Sequence, residues 1–419
     1  MHAPFQTYLM ETPLGVYISV PFCKAKCTFC NFASDAFAPG RMQRYVDRLC
    51  GEIASARSSA ASLGALLPER VDTVYFGGGT PSLLSAAHVQ QIFTVLRGEF
   101  DVADNAEITL ECAPGQLSAE TLDELLRQRL NRVSLGVQSF VDRESAAVGR
   151  LHTERICFEE IGRLRGAGVA DINLDLIAGL PHQTAASWVY SVEAAIAAGV
   201  PHLSVYMLEV DEDSRLGREM LRSGSRYGAA AVPSEDESAD WYQVACDRLN
   251  AAGVAQYEIS NFALEGHQSQ HNLKYWRRDP YVGFGLDAHS MLRTDAGAVR
   301  FSNTSDLDVY SAEGDAALPL YPRGLPAPEI EYVTASRAFE ESLFLGLRLN
   351  VGVSLRSLRD QFGETMLRES LTAIDELRDA GLLELTGDCV ALTDRGRMVS
   401  NEVFSRLLLG DTEHELSPV

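Results

Sequence analysis

The chain has 419 residues, 46% of them hydrophobic and 22% charged, with a mean hydropathy of −0.06, the make-up of ordinary globular material. A formal net charge of −22 excludes broad binding to nucleic acid or anionic lipid, which needs a basic footprint. No run approaches the ~18–20 apolar residues of a membrane span, and the first fifteen residues lack a basic segment followed by an apolar core. The expectation is a cytoplasmic protein that is not integral to a membrane.

Val16–Val20 reads as a strand stopped by Pro21, and Cys23, Cys27 and Cys30 follow within one tight loop. Further strand-like runs at Thr73–Phe76, Glu107–Glu111, Arg132–Val137, Ile172–Ile177 and His202–Leu208 alternate with helix-period segments. Those segments are Met42–Ser58, Ala86–Arg97, Ser118–Gln128, Glu154–Ala167 and Ala185–Ala198. Ser85, Ser118 and Thr184 stand where helix caps belong, and Gly168 and Gly199 where helices stop. Six such units predict a parallel sheet with helices outside, its short apolar strands covered on both faces. Unusual residues fall at the strand ends. The cysteine loop follows the first strand and Gly77–Gly78–Gly79–Thr80 the second; Glu111 ends the third, Gln138 the fourth, and Asp175 lies late in the fifth. In barrels functional residues gather at the C-terminal face of the strands, so the fold class read here is α/β, a partial (β/α)6 TIM-type barrel.

Beyond Glu209 the pattern changes. Ser223–Glu237 reads as a surface loop, Ser238–Ala251 as a helix, and Tyr257–Phe262 as a strand. His267–Ser290 is rich in His, aromatic and Gly residues, and Ser311–Pro328 is a proline-containing loop. From about Glu329 to Leu409 the order is three helices, a short hairpin (Leu382–Glu384, Cys389–Leu392) and a helix, which suggests a winged-helix module. Its acids outnumber its bases, which favours a packing or lid role over DNA reading. The expected division is residues 1–240 as the core, 241–328 as an extension and 329–410 as the mostly helical C-terminal domain.

Among the eight cysteines, Cys50, Cys112, Cys157, Cys246 and Cys389 lie singly among apolar neighbours and read as small buried hydrophobes. The Cys23-x3-Cys27-x2-Cys30 loop is different. Structural zinc prefers four ligands in two separated pairs, and no second Cys/His pair follows; a disulfide would leave one thiol odd. Thiolates at close spacing suit an iron–sulfur cubane, and three of them leave one iron open to a small chelating molecule.

The CxxxCxxC loop, with Phe29 just before its third cysteine, resembles the radical S-adenosylmethionine superfamily. GGGTPSLL at Gly77–Leu84, LEC-x-PG at Leu110–Gly115, RVSLGVQSF at Arg132–Phe140, GRLH at Gly149–His152 and NLDLIAGLPHQT at Asn173–Thr184 are similar to the oxygen-independent coproporphyrinogen III dehydrogenase family. HNLKYW at His271–Trp276 resembles the heme-chaperone branch of that family, known as HemW. The likeness runs over nearly the whole chain.

The resemblance implies a [4Fe–4S] cluster on Cys23, Cys27 and Cys30, with S-adenosyl-L-methionine chelated at the open iron. It implies that Tyr17, Phe29, Gly78, Gly79, Thr80, Glu111, Gln138, Arg150 and Asp175 bind that cofactor, whose reductive cleavage gives a 5′-deoxyadenosyl radical. It also implies heme as a ligand, with His271 as candidate axial donor and His267 and His289 as rivals. The implied function is delivery of heme to acceptor proteins, for which relatives suggest respiratory enzymes at the cytoplasmic membrane. The alternatives are radical oxidative decarboxylation of coproporphyrinogen III, or radical chemistry on an unrelated substrate. Two departures favour the chaperone: Phe32 stands where the dehydrogenases carry a fourth cysteine, and 22 residues precede Cys23, fewer than in those enzymes. ECAPG at Glu111–Gly115 differs from the usual Asn-containing form, and Asp287 stands where the family favours glycine in a tight turn expected near the His271 loop.

Overall fold

A computed structural model describes residues 12–36, 39–312 and 330–408. Six strands form in the expected order: β1 (Leu14–Val20), β2 (Arg70–Gly78), β3 (Asp101–Cys112), β4 (Arg132–Gln138), β5 (Asp171–Ala178) and β6 (His202–Met207). Each is parallel to the next, with helices α1 (Pro39–Ser62), α2 (Ala86–Glu99), α3 (Ala119–Arg127), α4 (Glu154–Gly166) and α5 (Ala185–Ala197) in the crossovers. The side chains of Ser85, Ser118 and Thr184 accept from the backbone N–H groups three residues on, which fixes where α2, α3 and α5 begin.

The strands are not apolar on both faces. Val16, Ile18, Val74, Phe76, Ile108, Leu110, Val133 and Leu135 point outward and pack on the helices, forming most of the main core. The alternate positions carry Tyr17, Tyr75, Glu111, Asp175 and Ser204, and their mutual contacts across β1 to β6 show that the sheet curls around a polar interior. The strands therefore present polar side chains to a hollow, in place of the two apolar faces expected.

α6 spans Glu235–Ala251 and starts inside the stretch read as a loop; Ser234 and Glu237 form a capping box there. A helix at Arg215–Leu221 was also unread. The expected strand at Tyr257–Phe262 is two short pieces, Ala255–Gln256 and Asn261–Ala263, joined by a turn. α7 (Gln270–Arg277) leads into β7 (Tyr281–Phe284), which lies parallel to β1 on the side away from β2. A hairpin (His289–Thr294, Gly297–Ser302) and Glu331–Val333 continue that edge. The C-terminal module contains helices Ala335–Gly346, Leu355–Phe362 and Glu364–Asp379, the hairpin Leu383–Thr386 with Cys389–Leu392, and helices Asp394–Met398 and Ser400–Leu407, packed around a core of their own. Most of the proline-containing loop, residues 313–329, lies outside the described residues. Cys50, Cys112, Cys157 and Cys246 are buried and Cys389 half-buried.

Candidate cofactor and ligand cavity

At the C-terminal ends of the strands lies a cavity of about 880 Å³ whose floor includes Cys23, Cys27 and Cys30. Phe29, Gly78, Gly79, Thr80, Glu111, Gln138, Arg150 and Asp175 line the same space, so nearly every residue singled out for S-adenosylmethionine converges there. Tyr17 is set one layer deeper, its ring 6.0 Å from that of Tyr75.

Each glycine of the β2 turn has its own reason. A Cβ on Gly77 would meet the Tyr17 hydroxyl at 2.8 Å, and one on Gly79 would meet backbone N of Phe22 at 2.8 Å. Gly78 adopts φ of 102°, a left-handed conformation that suits glycine. The turn is thereby pressed against the chain entering the cysteine loop, and Thr80 Oγ1 lies 3.5 Å from Cys23 Sγ. Glu111 is held by the Tyr75 hydroxyl, which donates at 3.0 Å, and by the Gly78 N–H at 3.2 Å. Burial, and then the neighbouring Asp175, push its carboxyl up to about 7. Asp175 accepts from Ser134 Oγ at 3.1 Å and from Asn173 Nδ2 at 2.7 Å, while burial raises its pKa. Ser134, Asn173 and Ser204, which the sequence reading did not single out, form the hydrogen-bond network around Asp175.

The site is built for something more than itself. Gln138 takes a positive φ of 68°, and its Oε1 is buried without a hydrogen-bond partner, as is Arg150 Nε. Orphaned buried polar atoms are costly, and here an acceptor and a cation flank two carboxylates, a donor set that fits an amino-acid ligand bearing both charges. The three free cysteines open on the same cavity, as a cubane with one iron facing the ligand requires. Among the described residues no three His, Cys, Asp or Glu side chains are grouped to hold a single ion.

His271 is elsewhere. It sits on α7, which plugs the N-terminal end of the barrel; the Glu107 carboxylate accepts from the Gln270 and His271 backbone N–H groups at 2.9 Å each. Gly15 leaves room for the plug, since a Cβ there would meet Lys274 Cδ at 2.8 Å. The imidazole is buried, with Nδ1 2.8 Å from Thr73 Oγ1 and Nε2 2.9 Å from the Tyr275 hydroxyl. Burial, then Lys274, pushes its pKa down to about 3. Both ring nitrogens are engaged, so in this arrangement the expected axial donor faces no ligand space. Of its rivals, His267 pairs with Asp171 and His289 is exposed at the start of the first hairpin strand. Asp287 does take a left-handed φ of 56°, as a glycine position would. Its turn follows the C-terminal end of β7, whereas His271 lies at the opposite end of the barrel, so the two are not coupled as expected.

This arrangement, a curled parallel sheet with a three-cysteine loop after its first strand, matches the family model described as the radical SAM superfamily over residues 17–207. Residues 333–399 match the model described as the HemN C-terminal domain. A Lactococcus lactis protein named heme chaperone HemW is 32% identical over 96% of this chain and 99% of its own length. The Synechocystis protein of the same name is 35% identical over 91% of this chain and 88% of its own. The chain therefore belongs to the HemW family within the radical SAM superfamily. A solved structure described as Escherichia coli coproporphyrinogen III oxidase (HemN), a radical SAM enzyme, shares the fold, with a TM-score of 0.78 over 96% of this chain and 93% of that one at 23% identity.

Proposed function

We propose that this protein is a heme chaperone that carries a [4Fe–4S] cluster and S-adenosylmethionine and passes heme to acceptor proteins, respiratory enzymes among them, without converting coproporphyrinogen. The observation that carries the reading is the near full-length likeness to proteins named heme chaperone HemW, joined to a cavity that gathers the cysteines with the unpartnered Gln138 Oε1 and Arg150 Nε. Cys23, Cys27 and Cys30 would hold the cluster, and Gly78, Gly79, Thr80, Glu111, Gln138, Arg150 and Asp175 the S-adenosylmethionine. When bound, the cluster supplies one-electron reduction at the sulfonium. The chain's own groups hold the ligand's charges: Arg150 is suited to its carboxylate, and Glu111 and Asp175 to its ammonium or ribose hydroxyls. We place the protein in the cytoplasm; among the described residues no helix is long and apolar enough to cross a membrane.

The second reading, radical decarboxylation of coproporphyrinogen III, draws support from the intact cofactor floor. One anaerobic experiment separates the two. The cluster is reconstituted, hemin is titrated while the Soret band is followed, and coproporphyrinogen III is offered with a reductant and S-adenosylmethionine. Hemin binding without turnover is expected; protoporphyrinogen IX formed at catalytic rates would overturn the chaperone reading.

A further inference from the structure

The cavity extends past its cofactor floor. Its far wall sets Met207, Ile259, Met398 and Val399 beside the polar Glu209, Ser260, Asn401 and Glu402, and it comes from β6 and the residues after it, the turn after α6 and the C-terminal module. Into that wall are set Arg348 and Arg397. Arg397 donates to the Leu392 carbonyl at 2.9 Å and pairs with Asp394. Arg348 is placed but not satisfied. Its guanidinium stacks on Trp276 with its carbon 4.4 Å from the ring centroid, and its backbone carbonyl accepts from Ile259 N at 3.2 Å. Its Nε is nevertheless buried without a hydrogen-bond partner, and the guanidinium forms no ion pair among the described residues. The buried Glu258 lies near enough for Arg348 to lower its pKa, yet its Oε2 is also without a partner.

Arg348 is half-buried, its guanidinium stacked on Trp276 and its Nε without a hydrogen-bond partner, with Glu258 as the nearby carboxylate. A planar fork of this kind recognises carboxylates in bidentate fashion. The total volume, about 880 Å³, lies within the roughly 300–1,000 Å³ range of small-molecule sites. We propose that this outer compartment seats the tetrapyrrole by its edge, with Arg348 as the anchor for a peripheral carboxylate and the side chains of Met207, Ile259, Met398 and Val399 against the macrocycle. This rests on the heme reading above and adds to it a location and a mode of recognition, by propionate and not by His271.

The test uses the full chain with its cluster reconstituted. Hemin and iron protoporphyrin IX dimethyl ester, which lacks free carboxylates, are each titrated against wild type, Arg348→Gln and Arg348→Lys. The expected result is hemin binding weakened about tenfold or more in Arg348→Gln, a smaller loss in Arg348→Lys, and ester binding equal in all three. Iron content and circular dichroism of the variants establish that the fold stands. Equal hemin affinity for wild type and a folded Arg348→Gln would overturn the proposal while leaving the heme reading intact. Should Arg348→Gln fail to fold, wild type decides alone, because equal affinity for hemin and its ester removes the carboxylate anchor. Absence of hemin binding by wild type would instead sink the heme reading itself.

Discussion

His271 shows how a residue's chemistry is decided by what surrounds it. Imidazole is a good iron ligand in water, but here Thr73 and Tyr275 take both nitrogens and burial keeps the ring neutral. His271→Ala is expected to leave a cavity and two unpaired hydroxyls, lowering stability by about 2–4 kcal/mol while preserving the hemin Soret band. Urea unfolding monitored beside hemin titration checks both; a folded variant without a Soret band would restore His271 as ligand. The candidate floor was legible because its residues are chemically out of place in apolar strands: Glu111 and Asp175 are not buried in a barrel without cause. Ser134, Asn173 and Ser204 gave the same signal more faintly, since serine and asparagine are ordinary enough in strands to escape notice. Arg348 gave none, because an arginine earns attention only once its partners are known to be missing.

Among the elements, α1 is anchored by one buried carboxyl. Glu52 accepts from Gly285 N at 3.0 Å and Asn303 Nδ2 at 2.6 Å and pairs with the Tyr310 hydroxyl, tying α1 to the β7 turn and the chain beyond it. Burial outweighs those donors and raises its pKa to about 7. A carboxyl raised in the folded state contributes stability that is complete below its unfolded value, near 4.5, and is lost as pH rises through about 7. Glu52→Gln cannot titrate, so its thermal midpoint should fall less than that of wild type between about pH 5.5 and about pH 8, a difference on the order of 2–3 kcal/mol. Parallel slopes for the two proteins would show that Glu52 does not titrate in this window. The local elements were read well from sequence because caps and periodicity are local: α2 to α5 and the strands β1 to β6 fall within a few residues of expectation, except that β3 begins six residues earlier, at Asp101. β7 was missed for the opposite reason. It pairs with β1 from the far end of the sequence, and a four-residue strand amid glycines and aromatics carries no period of its own.

At the scale of the molecule, a chain of charges joins the C-terminal module to the barrel edge. Glu341, on helix Ala335–Gly346, lies 2.9 Å from Arg278 Nε and 2.6 Å from Arg300 Nη1, with the Arg278 side chain only 3% exposed. Glu341→Ala leaves that guanidinium buried without its counter-charge, at a cost of about 3–5 kcal/mol. Limited proteolysis should then cut the module away faster than in wild type, with the barrel fragment surviving; unchanged digestion would show that apolar packing alone holds the module. The module matters because Arg397 to Glu402 form part of the cavity wall. That wall also sets an order in time. The cysteine loop leaves the ribosome early, whereas Arg397 follows about 20–70 s later at ~5–20 residues per second. Through that interval the cysteine loop stands open across a half-built pocket, reachable from a side that the last helices later close.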